Sequence, residues 1–234
     1  LKRPYILMRQ MLDQVDRDIV YSLCQYGWGD VWQWGAEIGG DCWRTTGDIV
    51  DTWSSMSRIG FGQADFYPFA NPGHWNDPDM LVVGKVGWGP NLHDTRLTPD
   101  EQYTHISLWC LLSAPLLIGC PIEQIDEFTM SLLTNDEVLE INQDPLGKQA
   151  YRIKDQNGKQ IWIKPLENGD LAVGLFNTKT VLQTVSVTWS EIGRPNKQKV
   201  RDLWPQLDEG IFKESYSVEI PAHGVKLIRV KDIH

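Results

Sequence analysis

Three stretches of the 234-residue chain set acidic or amide side chains against short apolar segments. Gln25 and Asp30 follow Ile19 to Cys24, Asp48 follows a second such segment, and Asp77 and Asp79 lie in a third that runs on through Met80 to Val83. In a parallel β/α barrel, residues just past the C-terminal ends of strands converge on one face, which is where such folds keep their chemistry. The other reading of these positions stays open, because Asp48 precedes Ile49 and Val50 as a helix cap would, and Asp77 and Asp79 flank a proline as turn residues do. Arg44 stands four residues before Asp48, where a guanidinium favours the ionised carboxylate and offers a fork of donors, either to a ligand or in a surface ion pair. His74, His93 and His105 share no ligand-like spacing, so neither a metal nor a cofactor is expected. No serine elbow, phosphate loop or dinucleotide fingerprint is present. Hydrolysis by carboxylates is the chemistry that remains.

The elements that would position these residues alternate. Apolar residues at helical spacing from Ile6 to Val15 predict a helix, and Ile19 to Cys24 a short buried strand. A second helix is expected over Ile49 to Ile59. Thr98, Pro99 and Glu101 form the signature of a capping box with proline in the first turn, announcing a strong helix through about Ser113. Leu116 to Gly119 is expected as another buried strand, with helices over Phe128 to Leu133 and Asp136 to Ile141. Alternation with both faces apolar predicts a parallel sheet covered by helices. From Gly147 the pattern changes to short strands at 161–163, 171–176, 184–189, 200–204, 216–220 and 225–230, which predicts a second, antiparallel β domain beyond a boundary at 142–147.

Composition narrows the partners. Lys and Arg number 22 against 31 Asp and Glu, for a net charge of −9, which leaves no electrostatic footprint for nucleic acid or an anionic membrane surface. The longest uncharged run, Ile106 to Ile122, is 17 residues, is interrupted by two prolines and falls short of a membrane span. Four cysteines are too sparse for a disulfide scaffold. Five of the 11 tryptophans, Trp28, Trp32, Trp34, Trp43 and Trp53, fall among Gly, Asp and Gln. Aromatic faces beside polar groups suit a sugar ring, and core packing accounts for them equally well.

Five strings in order then carry a resemblance: Asp18-Ile19-Val20-Tyr21-Ser22-Leu23-Cys24-Gln25-Tyr26-Gly27, Trp43-Arg44-Thr45-Thr46-Gly47-Asp48-Ile49, Pro72-Gly73-His74-Trp75-Asn76-Asp77-Pro78-Asp79-Met80-Leu81, Ala114-Pro115-Leu116-Leu117, and Ile141-Asn142-Gln143-Asp144-Pro145-Leu146-Gly147. Together they resemble glycoside hydrolase family 27, the α-galactosidase (melibiase) family. The resemblance runs firmly to Gln149 and more loosely through the β domain. It implies an α/β fold: residues 1–143 as the C-terminal half of a (β/α)8 barrel, and residues 147–234 as an antiparallel β-sandwich. A whole barrel takes about 250 residues, so the half that carries the aspartate nucleophile is expected to lie outside this chain.

The resemblance also implies roles. The family reaction is double displacement with retention, in which one carboxylate attacks the sugar and another first donates and then accepts a proton. Asp48 matches that acid/base; it would start protonated, as partial burial and an ionised nucleophile opposite would favour. Arg44 is then pictured on a sugar hydroxyl. Asp79 matches the aspartate that hydrogen-bonds the substrate, Met80 packs beside the pocket, and Asp77 is structural. Cys24, Gln25 and Tyr26 match a Cys-Glu-Trp segment that reads the sugar near its 2-position; two of the three differ, and the long Gln25 argues for an unmodified 2-hydroxyl. By the same resemblance Cys24 and Cys42 are candidates for a disulfide, and His74 stands where glycine is common in the motif.

The resulting expectation is an exo-acting retaining α-galactosidase that takes terminal α-galactosides, with no nucleic acid or membrane partner, a homo-oligomer left open, and secretion, periplasm or lysosome as the family's usual locations. The rivals are a sister specificity, α-N-acetylgalactosaminidase or β-L-arabinopyranosidase, and a non-catalytic sugar-binding relative.

Overall fold

The structure is a computed structural model that describes residues 1–87 and 89–233; His234, the last residue of the expected second domain, lies outside them. Its first part runs α1 (Arg3–Leu12), β1 (Ser22–Leu23), β2 (Cys42–Arg44), α2 (Trp53–Phe61), β3 (Trp75–Asp77), a small hairpin of β4 (Lys85–Val86) and β5 (His93–Asp94), then α3 (Pro99–Leu111), α4 (Glu127–Leu133) and α5 (Asp136–Asn142). β1, β2 and β3 are parallel neighbours, with Ser22 opposite Cys42 and Arg44 opposite Asp77. Parallel strands need crossovers, and α2 supplies one between β2 and β3, so the C-terminal ends of the strands all open on one side.

Local chemistry sets the helix ends. Thr98 and Glu101 form the expected capping box of α3, each accepting the other's backbone N–H. α2 starts at Trp53 rather than Ile49 because Thr52 is its cap, accepting the Ser55 N–H. Asp48 is therefore not a helix cap. Residues 45–52 form a loop instead, and the helical spacing of Ile49 reflects burial from a loop.

The segment 116–119 departs from expectation. It makes a single parallel bridge between Ile118 and Leu81, and Leu117 and Ile118 are half exposed. Only one side of this segment meets a strand among the described residues, so it is neither a full strand nor buried. Val20 is also exposed, at 78%, because only Ser22 and Leu23 of the expected 19–24 strand join the ladder.

The second part is a sandwich of eight strands: β6 (Tyr151–Gln156), β7 (Lys159–Pro165), β8 (Leu171–Asn177), β9 (Gln183–Thr188), β10 (Gln198–Asp202), β11 (Leu207–Phe212), β12 (Ser215–Ile220) and β13 (Val225–Asp232). Six form one antiparallel sheet in the order β11-β10-β13-β8-β7-β6, and β12 pairs with β9 against it. β6 and β11 were not anticipated from the sequence. They are the two edge strands, carry charged residues, and so lack the apolar alternation by which strands are recognised.

The six-stranded sheet is buried on both faces. Ile161, Ile163, Val173, Val200 and Ile228 face β9 and β12, while Trp162, Ala172, Phe176 and Leu227 face the core of the first part. α3 lies between that sheet and the barrel strands, so it is buried nearly all round rather than on one stripe. His223, from the turn before β13, stacks on Trp53 at 3.9 Å and bonds Glu101 at 2.6 Å.

Lys164 of β7 is fully buried at this junction, donating to Ser113 Oγ and the Cys110 carbonyl. Burial pushes its ammonium down to about 8 from an ordinary value of 10.5, and pushes the Cys110 thiol up to about 12. A base with a lowered folded value costs stability while it must stay charged. Lys164 should therefore make folding stability rise from about pH 8 towards 10.5, where the unfolded chain holds the extra proton, and the raised Cys110 thiol opposes that rise above about pH 9. Urea denaturation across that range should show the rise in the native sequence and a flatter profile in Lys164→Met, which should be at least as stable at pH 7. Equal slopes in the two proteins would contradict the assignment.

Candidate active site

The expected site residues stand at the C-terminal ends of the parallel strands. Beyond β1 the chain turns sharply: Tyr26 has φ +54° and Gly27 φ +80°. A Cβ on Gly27 would lie 2.2 Å from the Thr45 carbonyl, so only glycine lets the turn lie this close to β2. The Gly27 N–H donates to the Arg44 carbonyl, which ties the turn to the residue it faces. The Tyr26 ring then covers the Arg44 guanidinium at 5.4 Å. A hydrogen bond with the Cys24 thiol and the nearby Asp48 carboxylate push the Tyr26 phenol up.

Arg44 ends β2 with its side chain 11% exposed. Its Nη2 donates to Asp79 Oδ2 at 2.7 Å and to Asp48 Oδ1 at 3.2 Å, so one nitrogen holds two carboxylates. Its Nε is buried and without a partner among the described residues.

The two carboxylates are held very differently. Asp79 has φ +91°, a backbone region that costs a non-glycine residue about 1–3 kcal/mol and persists only where its surroundings enforce it. They do: Oδ2 also accepts the Ile49 N–H at 2.8 Å, Oδ1 accepts the Met80 N–H, the Asp79 N–H donates to Asp77 Oδ1, and Trp109 Nε1 donates to the Asp79 carbonyl at 2.7 Å. Asp48, by contrast, is 74% exposed and holds only Arg44. Asp77 is buried, and burial pushes its carboxyl up.

Behind the strands, Trp43 Nε1 donates to Asn76, Asn76 to Gln149, Gln149 to the Gln63 carbonyl, and Thr45 Oγ to the Gln63 side chain. This buried row fixes the spacing of β2 and β3. Of the five clustered tryptophans, Trp34 and Trp43 are core, Trp32 stacks on Phe66 and Trp53 on His223, and Trp28 is exposed.

Cys24, Tyr26, Arg44, Asp48 and Asp79 are thus brought together. Gln25 is buried with its amide oxygen on the Tyr5 hydroxyl of α1, and the Met80 side chain packs against Gly119. One expectation is corrected. Asp48 is exposed rather than partly buried, because its side chain points out of a loop that buries Ile49 instead. Arg44 is engaged by Asp79 and Asp48 through a single nitrogen. Cys24 and Cys42 are unbridged: the first is exposed and the second is buried beside Ser22. His74 is a loop residue whose ring bonds the Gly40 carbonyl.

Two contributors were not foreseen. Trp109 lies 30 positions from Asp79 and carries no local signal. Asp51 was visible in Gly-Asp-Ile-Val-Asp as a second acid, and it ties this loop to the β4–β5 excursion. Its carboxyl is held down at about 2 by hydrogen bonds and charge from Arg96, against the opposing effect of burial.

A cavity of about 660 Å³ lies elsewhere: Ser22, Cys42 and Trp75, which begin the three strands, line it together with Leu116 and Leu117. It sits at the opposite strand ends from the carboxylates. Among the described residues no three His, Cys, Asp or Glu are grouped to hold a metal ion, and no helix is long and apolar enough to cross a membrane.

Parallel strands with carboxylates and an arginine gathered at their C-terminal ends, followed by an antiparallel sandwich, define a two-part α/β-plus-sandwich architecture. The family model described as Alpha galactosidase A matches residues 1–144, and that of the Alpha galactosidase C-terminal beta sandwich domain matches 156–230. The chain belongs to the α-galactosidase (melibiase) family, and its parallel strands are part of a (β/α)8 barrel. It is 43% identical to the "Probable alpha-galactosidase" of Dictyostelium discoideum, over 94% of this chain and 56% of that protein. With the α-galactosidase of Cyamopsis tetragonoloba it shares 39% identity over 97% and 53%. A solved family 27 β-L-arabinopyranosidase of Geobacillus stearothermophilus, in complex with arabinose, superposes with a TM-score of 0.93 at 31% identity, covering 100% of this chain and 55% of that one. The chain spans about half the length of the curated relatives it matches.

If Arg44 and Asp79 hold one another as a mostly buried pair, breaking it should leave an uncompensated charge. Asp79→Asn should lower stability by about 3 kcal/mol, and Arg44→Met in that background should restore part of it. A double-mutant cycle by chemical denaturation measures the coupling. Additive losses would show that the pair is not coupled.

Proposed function

We propose that the protein is a retaining exo-acting α-galactosidase that removes terminal α-linked galactose from oligosaccharides or glycoconjugates. The observation that carries this reading is the unequal treatment of two carboxylates by Arg44. Asp79, fixed by two backbone amides and the guanidinium, is an immobile acceptor suited to substrate hydroxyls. Asp48, exposed and held by a single contact, is free to reach the glycosidic oxygen and exchange a proton with it, as an acid/base must. Arg44 holds Asp79 in place and presents the rest of its fork to the sugar. The Tyr26 ring and Cys24 form a wall against the sugar, Met80 closes the floor, and Gln25 contributes through its amide nitrogen.

Asp79 has both oxygens engaged and cannot attack an anomeric carbon. We assign the nucleophile to a carboxylate outside these 234 residues, about 5 to 5.5 Å from the acid/base, as retention requires. The superposition on a β-L-arabinopyranosidase favours a second reading, since that sugar is galactose without its hydroxymethyl group.

The test is to assay the complete protein on aryl α-galactoside, α-N-acetylgalactosaminide and β-L-arabinopyranoside in parallel. Galactoside should turn over fastest; preference for the arabinoside would replace this reading with the second, and no turnover of any would leave a sugar-binding relative. Asp48→Ala should slow poor leaving groups by about 100-fold or more while sparing activated aryl groups, with partial rescue by azide. Equal loss on all substrates without rescue would make Asp48 structural. The 234-residue chain alone should be inactive, and appreciable turnover by it would overturn the placement of the nucleophile.

A further inference from the structure

The loop that carries Asp48 leaves β2 at Arg44 and does not become regular again until Trp53. A proton donor on such a loop works only if something fixes where the loop stands, since a misplacement of about 1 Å can cost 100-fold in rate. Beyond Asp48, three ties to other segments or to α2 are present. The Ile49 N–H is held by Asp79, the Val50 N–H by Ser55 Oγ, and the third is Asp51.

Asp51 does not cap α2, which Thr52 does, yet its side chain is only 6% exposed. Its Oδ2 accepts the Arg96 backbone N–H at 2.9 Å and the Arg96 Nε–H at 3.1 Å, and its Oδ1 accepts from Arg96 Nη2 at 2.5 Å. His93 Nε2 stands 3.3 Å from Oδ2. A carboxylate taken by the guanidinium fork and also by that residue's own backbone is fixed in both position and rotation.

The far end of the tie is itself anchored. Arg96 and His93 belong to the excursion that leaves the barrel after β3. The Thr95 N–H donates to the Gly84 carbonyl and its hydroxyl to the Val82 carbonyl, closing the base of the excursion. Lys85 pairs with Asp94 across the hairpin, and His93 Nδ1 bonds the Asn91 carbonyl. Asp51 therefore joins two loops 45 positions apart.

We propose that the Asp51–Arg96 pair is the positioning device of the proton donor: it sets the loop that holds Asp48 against the hairpin excursion, so that Asp48 swings over a fixed arc. This rests on the reading of Asp48 as the acid/base. Asp51 lies three positions after Asp48, a leash of about 10 Å at full extension, short enough for the anchor to govern the donor's reach. The low value of the Asp51 carboxyl keeps the pair ionised at any pH where a glycosidase works.

Arg96 is the place to test it, because its side chain is 58% exposed and its removal opens no cavity. In the complete protein, Arg96→Met should raise hydrogen exchange across 46–52 by about tenfold while leaving the amides of β2 unchanged. It should also lower kcat/KM for α-galactosides with alkyl or sugar leaving groups by about 10- to 100-fold, and for dinitrophenyl galactoside by no more than about twofold. Arg96→Lys should recover part of the loss. Unchanged exchange would overturn the tie whatever the activity, and an equal fall on both leaving-group classes would make Arg96 merely structural. If the unmutated protein hydrolyses no α-galactoside, it is the functional reading that fails, and the exchange comparison alone decides the tie.

Discussion

One nitrogen of Arg44 bonded to two carboxylates is the interaction on which the site depends. An arginine so far from solvent must be paired, and Asp79 pairs it at the cost of a backbone conformation that a non-glycine residue ordinarily avoids. Everything around Asp79 serves to hold that conformation. Asp77 takes its N–H, Trp109 its carbonyl, and Ile49 and Met80 its carboxylate. The strain is concentrated where the chemistry is expected, and the supporting groups come from three separate segments of the chain.

The β-sandwich contributes to this support. Its six-stranded sheet closes over α3, and α3 carries Trp109, the residue that fixes the Asp79 carbonyl. His105, one turn earlier on the same helix, meets Trp109 edge-on and accepts the Val82 N–H. Burial pushes His105 down to about 3, so it stays neutral and keeps accepting that bond across the working pH range. A line of contacts thus runs from the sandwich through one buried helix to Asp79.

Much of the fold was legible in the sequence because it was written in local signals. The capping box at Thr98, the alternation of helix and strand, and the change of period after Gly147 each depend on neighbours a few residues apart. Edge strands β6 and β11 escaped because charge, rather than apolar alternation, protects an edge. The segment 116–119 was overread because an apolar run does not say whether a neighbour stands on both sides. At the site, position left Arg44, Asp48 and Asp79 open as caps, turns or an ion pair; the family resemblance singled them out, and the structure brings these together with Cys24 and Tyr26. What spacing could not show was division of labour. That Asp79 is clamped rests on Trp109, and the tether of the Asp48 loop rests on Arg96, residues that lie tens of positions away and meet the site only through folding. Gln25 shows the reverse limit: its place in the motif was clear, yet its oxygen is taken by Tyr5 from α1.

The central claim is that Arg44 keeps Asp79 fixed while Asp48 is released to the substrate. The most direct test is a high-resolution crystal structure of the complete protein with an unhydrolysed α-galactoside bound. The account predicts that the Arg44–Asp79 contact is retained with Asp79 on a sugar hydroxyl, and that the Asp48 carboxyl has left Arg44 for the glycosidic oxygen. A complex in which Asp48 stays on Arg44 while Asp79 lets go of it would contradict the account.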